Sequence, residues 1–192
     1  MRLPLAIFLV LAAAASTVNA AIQLDIADNP PVAPVLAVPT TGSVAIDVTA
    51  VDPDTEIVDF TIDFSVAGPA GFTLTAATLN STTAAALSQP TDFFFSNNGG
   101  GSYTASAFFL LATPTVTPGT FLTLSYSVDP GALGTWEITG EVPPDTWSDA
   151  TFNNTFPVQV TAGSVTVIPE PAGAAALALI GVAIAARRRR AA

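Results

Sequence analysis

Three carboxylates fall within five residues at Asp52-Pro53-Asp54-Thr55-Glu56, the densest acidic cluster in the chain. Hard cations such as calcium are held by clustered oxygen ligands of this kind. The spacing departs from the EF-hand loop, which needs a central glycine and a glutamate at its far end. Asp52, Asp54 and Glu56 are therefore candidate calcium ligands of another loop type, or simply a solvated acidic turn. Asp25 with Asp28, and Asp145 with Asp149, are sparser groups of the same kind.

Other chemistry is constrained by what is missing. The 192 residues contain no histidine, no cysteine and no lysine. This removes imidazole and thiolate metal ligands, disulfides, and any nucleophile paired with a His or Lys base. Paired carboxylates can hydrolyse glycosides unaided, one as acid and one as base or nucleophile. Here most acids alternate with apolar residues or sit in turns, the pattern of a wet face rather than a cleft, and the chain reads as non-enzymatic. All five bases are arginines near the ends, Arg2 and Arg187 to Arg190, and of the 15 acids only Glu170 lies outside residues 21–168. That segment is a polyanion without one basic side chain, which excludes nucleic acid as a partner. An acid-rich, lysine-free surface also suits salty surroundings.

The arginines mark topology. Met1 and Arg2, an apolar run from Leu3 to Ala15, and Val18-Asn19-Ala20 have the order of a secretory signal peptide. Cleavage by signal peptidase is expected after Ala20. At the other end stand Pro169-Glu170-Pro171, an apolar stretch over 172–186 and the cluster Arg187, Arg188, Arg189 and Arg190. A helix of that stretch rises about 1.5 Å per residue against a hydrocarbon core of roughly 30 Å, so it spans marginally. The arginines would stay cytoplasmic and the acidic segment outside. This tripartite end resembles the PEP-CTERM sorting signal of exported Gram-negative proteins. The resemblance implies an exosortase-type processing enzyme as a partner, transient residence in the inner membrane, and delivery to the cell surface or an extracellular polymer. The alternative is a permanent anchor by one C-terminal transmembrane helix.

The middle alternates with period two. From Val58 to Val66, Val58, Phe60, Ile62, Phe64 and Val66 share one face, and Asp59, Thr61, Asp63 and Ser65 the other. Residues 42–51 alternate likewise, with Val44, Ile46 and Val48 inward. Further strands are expected over 72–79, 91–95, 102–111, 121–128, 135–142 and 157–168, with Trp136 in the core. Turn signals separate them, among them Asn97-Asn98-Gly99-Gly100-Gly101 and Asp129-Pro130-Gly131. Pro30, Pro31, Pro34 and Pro39 make 21–39 an extended lead-in or edge segment. The one helical signal, over 82–87, is short. Trp147, in a turn-like stretch, reads as packing at the core's edge rather than as a sugar-stacking platform. Three successive rings at Phe93-Phe94-Phe95 cannot all point inward, so that strand is expected to be buried on both faces, the other option being a ring that covers an edge or a partner. Asn80-Ser81-Thr82 and Asn153-Asn154-Thr155 match the glycosylation pattern by accident in a bacterial chain.

The expectation is an all-β chain: a signal peptide over 1–20, a lead-in over 21–39, one two-sheet β-sandwich over 40–168 and a sorting signal over 169–192. Gly42-Ser43-Val44-Ala45-Ile46-Asp47-Val48, Val58-Asp59-Phe60-Thr61-Ile62-Asp63-Phe64 and Ala162-Gly163-Ser164-Val165-Thr166-Val167 stand in the order found in cohesin-like and related immunoglobulin-like sandwiches. That resemblance implies adhesion or scaffold assembly, with no position transferable as a contact to a dockerin. The function expected is a structural or adhesive role at the surface or in a biofilm matrix. Calcium-assisted binding of a protein or carbohydrate, such as an exopolysaccharide, is the second reading.

Overall fold

A computed structural model describes residues 22–33, 38–53, 55–87, 92–110, 112–149, 151–152 and 155–168. The signal peptide with its cut at Ala20, the Pro169-Glu170-Pro171 motif, the apolar stretch and the arginine cluster lie outside these residues, as does Asp54. Among the described residues no helix is long and apolar enough to cross a membrane.

Among the described residues ten strands run in chain order: β1 Ile22–Ile26, β2 Thr40–Val51, β3 Asp59–Ala67, β4 Phe72–Leu79, β5 Phe93–Gly99, β6 Ser102–Phe108, β7 Gly119–Val128, β8 Gly134–Glu141, β9 Val158–Thr161 and β10 Gly163–Val167. They form two five-stranded sheets, ordered β4-β7-β2-β1-β9 and β10-β8-β3-β6-β5. Alternation decides what lies between them. Val44, Ile46 and Val48 of β2 meet Phe60, Ile62 and Phe64 of β3, Leu122, Leu124 and Tyr126 of β7, and Trp136 and Ile138 of β8 in one core. Each such side chain contributes about 1.5–3 kcal/mol by leaving water. No buried side-chain nitrogen or oxygen among the described residues lacks a hydrogen-bond partner.

Aromatic rings close the core at both ends. At one, Phe72 stacks on Tyr126 and on Trp136, with centroids 5.2 and 5.4 Å away, and the Trp136 indole N–H donates to the Pro69 carbonyl at 2.6 Å. Gly42 makes room there, because a Cβ on it would stand 2.6 Å from Cζ of Tyr126. At the other, Trp147 packs on Phe60 and Phe121 at 5.5 and 5.4 Å.

Four expectations are corrected. The segment 21–39 is not an edge or a lead-in alone: β1 lies inside its sheet between β2 and β9, with Ile22, Leu24 and Ile26 buried. Its prolines all follow the strand, so none interrupts the ladder. Residues 157–168 form two strands, because the chain leaves one sheet at Ala162 and enters the other at Gly163. Residues 22–32 follow the same course alongside. β1 pairs with β9 in parallel, then Asn29 N–H donates to the Ser164 carbonyl and Val32 N–H to the Thr166 carbonyl. The strand β5 is not buried on both faces; Phe93 and Phe95 turn inward and Phe94 is 62% exposed. Trp147 sits deeper than an edge, only 1% exposed, because residues 143–148 fold over the end of the sandwich. The helical signal becomes one turn, α1, at Ser81–Ala84. Asn80 caps it by accepting from Thr83 N–H, which commits the side chain of that glycosylation match.

Among the described residues the carboxylates have no basic partner, and hydroxyls take that place. Thr120 donates to Asp47 at 2.7 Å, Thr104 to Asp63 at 2.6 Å, Thr113 to Glu56 at 2.8 Å and Ser164 to Asp28 at 2.7 Å. Two carboxylate pairs nevertheless face each other across strands, Asp25 opposite Asp47 and Asp63 opposite Glu141. Like charges directly opposed on a sheet cost about 0.2–1 kcal/mol. Glu141→Gln is therefore expected to raise the urea midpoint, by a gain of that size that shrinks in molar salt as screening takes over. An unchanged or lower midpoint at low salt would refute the repulsion.

Candidate functional site

Three of the large apolar side chains exposed to water gather at one place. Phe108 ends β6, Leu110 follows it, and Phe152 rises from the loop between β8 and β9; they are 38%, 65% and 58% exposed. With Val58, Phe109, Ala112 and Thr113 they line an open groove of about 390 Å³. The rings of Phe108 and Phe152 lie near-parallel, 22° apart, with centroids at 6.0 Å. Phe94 projects from the same outer sheet face, on the strand beside β6.

Backbone conformation supports a role for Phe152. Its φ is 57°, in the left-handed region that a bulky residue adopts at a cost of about 1–3 kcal/mol. A turn holds it there: Asp149 accepts from the N–H and hydroxyl of Thr151 at 2.9 and 2.7 Å, and Phe152 N–H donates to the Asp149 carbonyl at 3.0 Å. From the same segment, Ser148 N–H donates to Asp59 and Val58 N–H to the Ser148 carbonyl, at 2.8 and 2.9 Å. The groove is thus tied to β3 on one side and rooted by Trp147 in the core below. Asp59, opposite Phe108 in register, and Asp149 give the apolar surface an acidic margin.

Among the described residues none of the expected metal ligands lines the groove, although Glu56 accepts from the groove residue Thr113 at its rim. Asp52 and Glu56 are exposed, and Glu56 is turned toward Thr113. The intervening Thr55 is buried, its hydroxyl donating to the Asp52 carbonyl at 2.7 Å. Among the described residues no group of three His, Cys, Asp or Glu side chains could hold a metal ion, and Asp54 is not among them. Trp147 faces inward and offers no stacking platform. A second open groove, also about 390 Å³, lies over residues 142–147 and 155–158, with Pro143, Pro144 and Pro157 in its lining. Sequence reasoning passed over Phe152 because a single phenylalanine between Thr151 and two asparagines has no period to read.

No family model matches the chain, and no characterised protein matches it in sequence. Solved structures do match in fold. The seventh ScaB type I cohesin of Pseudobacteroides cellulosolvens superposes with a TM-score of 0.58 at 16% identity, over 78% of this chain and 93% of that one. The third ScaC cohesin of Acetivibrio cellulolyticus, solved with the ScaB dockerin, gives 0.58 at 21%, over 77% and 99%. The OlpC cohesin of Clostridium thermocellum, solved with the dockerin Doc435, gives 0.59 at 14%, over 81% and 99%. The sandwich is cohesin-like in architecture.

Proposed function

We propose that the chain is a non-enzymatic protein-binding module of an exported surface or matrix protein, and that it grips its partner at the Phe108–Leu110–Phe152 groove. The observation that carries this is Phe152, a ring held exposed against its backbone preference and stacked on a second exposed ring. Anchors of this kind, aromatic and set in a partly formed pocket, supply most of the energy at protein interfaces. The acidic margin selects a partner with basic residues around an apolar centre. The cohesin-like fold supports the reading, since cohesins of that architecture have been solved with dockerins bound.

Phe152→Gly separates binding from folding. Glycine suits a positive φ, so the melting temperature is expected to hold or rise while the anchor is lost. With the chain immobilised and exposed to extracellular protein of its native host, a partner retained by the wild type should be lost from Phe152→Gly and from Leu110→Ser. Equal retention by all three would move the site away from the groove.

Export, sorting through Pro169-Glu170-Pro171 by an exosortase-type enzyme, and a destination at the surface or in exopolysaccharide complete the proposal. The order of signal peptide, tripeptide, apolar stretch and arginines in the sequence supports it. Intact mass of the native protein should show a chain beginning at Ala21 and ending near Pro171; a product still carrying Arg190 favours the permanent anchor. Calcium at Asp52, Asp54 and Glu56 is a separate proposal, resting on three clustered carboxylates. Millimolar calcium should raise the melting temperature, and Asp52→Asn with Asp54→Asn should abolish the rise.

A further inference from the structure

Sheet edges invite pairing unless something blunts them. Three of the four here are blunted among the described residues. A bulge between Leu74 and Ala76 distorts β4. β9 is only four residues long. Residues 29–32 run beside β10, with Val32 accepting from Ile168 N–H at 3.0 Å. β5 is different. Its bulge falls only at the far end, between Asn97 and Gly99, so Phe93 to Asn97 keep regular register with β6; among the described residues it pairs with no other strand, and it carries no charge and no proline. Phe94 stands out from it, 62% exposed.

Charge identifies the occupant. Acids are scarce in one long interval of the segment 21–168: between Asp63 and Asp129 the sole carboxylate is Asp92. Two copies of such a polyanion repel each other over most of their surface and can approach only where the acids stop. β5 and its neighbour β6 both lie in that interval. We infer that β5 is a self-association edge, at which a second copy of this chain adds its own β5 antiparallel about a two-fold axis. In such a pair, residues of equal parity share a face. Phe94 then meets Phe94 or Ser96 of the copy on the outer face, while Phe93 and Phe95 extend the inner one. The two sheets become one of ten strands, and both exposed Phe94 rings are covered. This inference does not depend on the Phe152 groove, which lies at the end of β6 around Phe108 and not at the free edge of β5.

The absence of cysteine makes the test clean. Single-cysteine full chains carrying Ser96→Cys on β5, Thr78→Cys on β4 or Gln159→Cys on β9 are treated in mild detergent with a short bis-maleimide. Dimer yield is expected to be about tenfold higher for Ser96→Cys, and Phe94→Glu in that background, which sets like charges across the pair, should lower it about tenfold. Phe94 is exposed, so the thermal midpoint of Phe94→Glu should match the parent's; if it does not, Asn97→Glu serves the same purpose. Equal yields at the three positions would overturn the inference, as would yields that ignore the added glutamate. Binding of host proteins should be unaffected by Phe94→Glu, which keeps failure here distinct from failure at the groove.

Discussion

Trp147→Ala should cost about 3–5 kcal/mol, the range for deleting a large buried aromatic, and so a large share of the roughly 5–15 kcal/mol available to a domain of this size. The indole fills the end of the core against Phe60 and Phe121, and Phe60 in turn packs on Phe121 at 5.1 Å and Phe109 at 6.3 Å. Its N–H donates to the Thr61 carbonyl at 3.2 Å. Alanine leaves a void ringed by phenylalanines that cannot collapse into it, because each is fixed to a strand. A second loss follows from position. Trp147 anchors the segment that presents Phe152, and Phe156 N–H donates to the Trp147 carbonyl at 2.8 Å. Urea unfolding followed by the remaining tryptophan, Trp136, measures the first effect, and partner retention the second. Trp147→Phe should recover much of the stability. A loss below about 1 kcal/mol for the alanine variant would show that the rings repack without the indole.

Gly163→Ala is expected to be nearly as severe for a different reason. The chain crosses from one sheet to the other at this residue, close against the course of β1. A Cβ there would meet the Ile26 carbonyl oxygen, with the Ile26 carbonyl carbon at 2.7 Å and the Ala27 oxygen at 2.9 Å. These are backbone atoms at and just past the end of β1, so no rotamer relieves the contact. Forcing atoms into a packed core costs about 1–3 kcal/mol, occasionally more, and the upper end is expected. Thermal melting of Gly163→Ala beside Ala162→Gly, a change at an exposed neighbour, isolates the steric term. Similar small losses from both would mean that the crossover shifts freely.

The strands that were legible in the sequence are those with one wet face. In β2, β3 and β7 the inward residues Val44, Ile46, Phe60, Ile62, Leu122 and Leu124 alternate with Ser, Thr and Asp, and each is buried. The same alternation is present in Ile22-Gln23-Leu24-Asp25-Ile26, yet the prolines that follow gave the whole segment the look of a lead-in. Nothing local to Ala162 announces a change of sheet, since residues on either side alternate as one strand would. That break is fixed by how β1 passes the crossover, a contact between residues more than a hundred positions apart. Phe94 was readable only as a conflict. Three consecutive rings cannot share a face, and which one loses depends on β5 lying at an edge. The groove was least legible, for its members come from three separated segments, and the strongest sign of it, the φ of Phe152, has no sequence signature.

The paired course of residues 22–32 and 158–168 has a mechanical consequence. The chain leaves the sandwich after β10 at the end closed by Trp136, whereas the groove of Phe108 and Phe152 lies at the end closed by Trp147. Were the chain held beyond β10 and loaded at the groove, the tension would run along the length of the sheets. β10 would then be pulled along its own axis between β8 and residues 29–32, and its hydrogen bonds on both sides would be loaded together rather than peeled one after another. Rupture under such a load would require several hydrogen bonds to break at once.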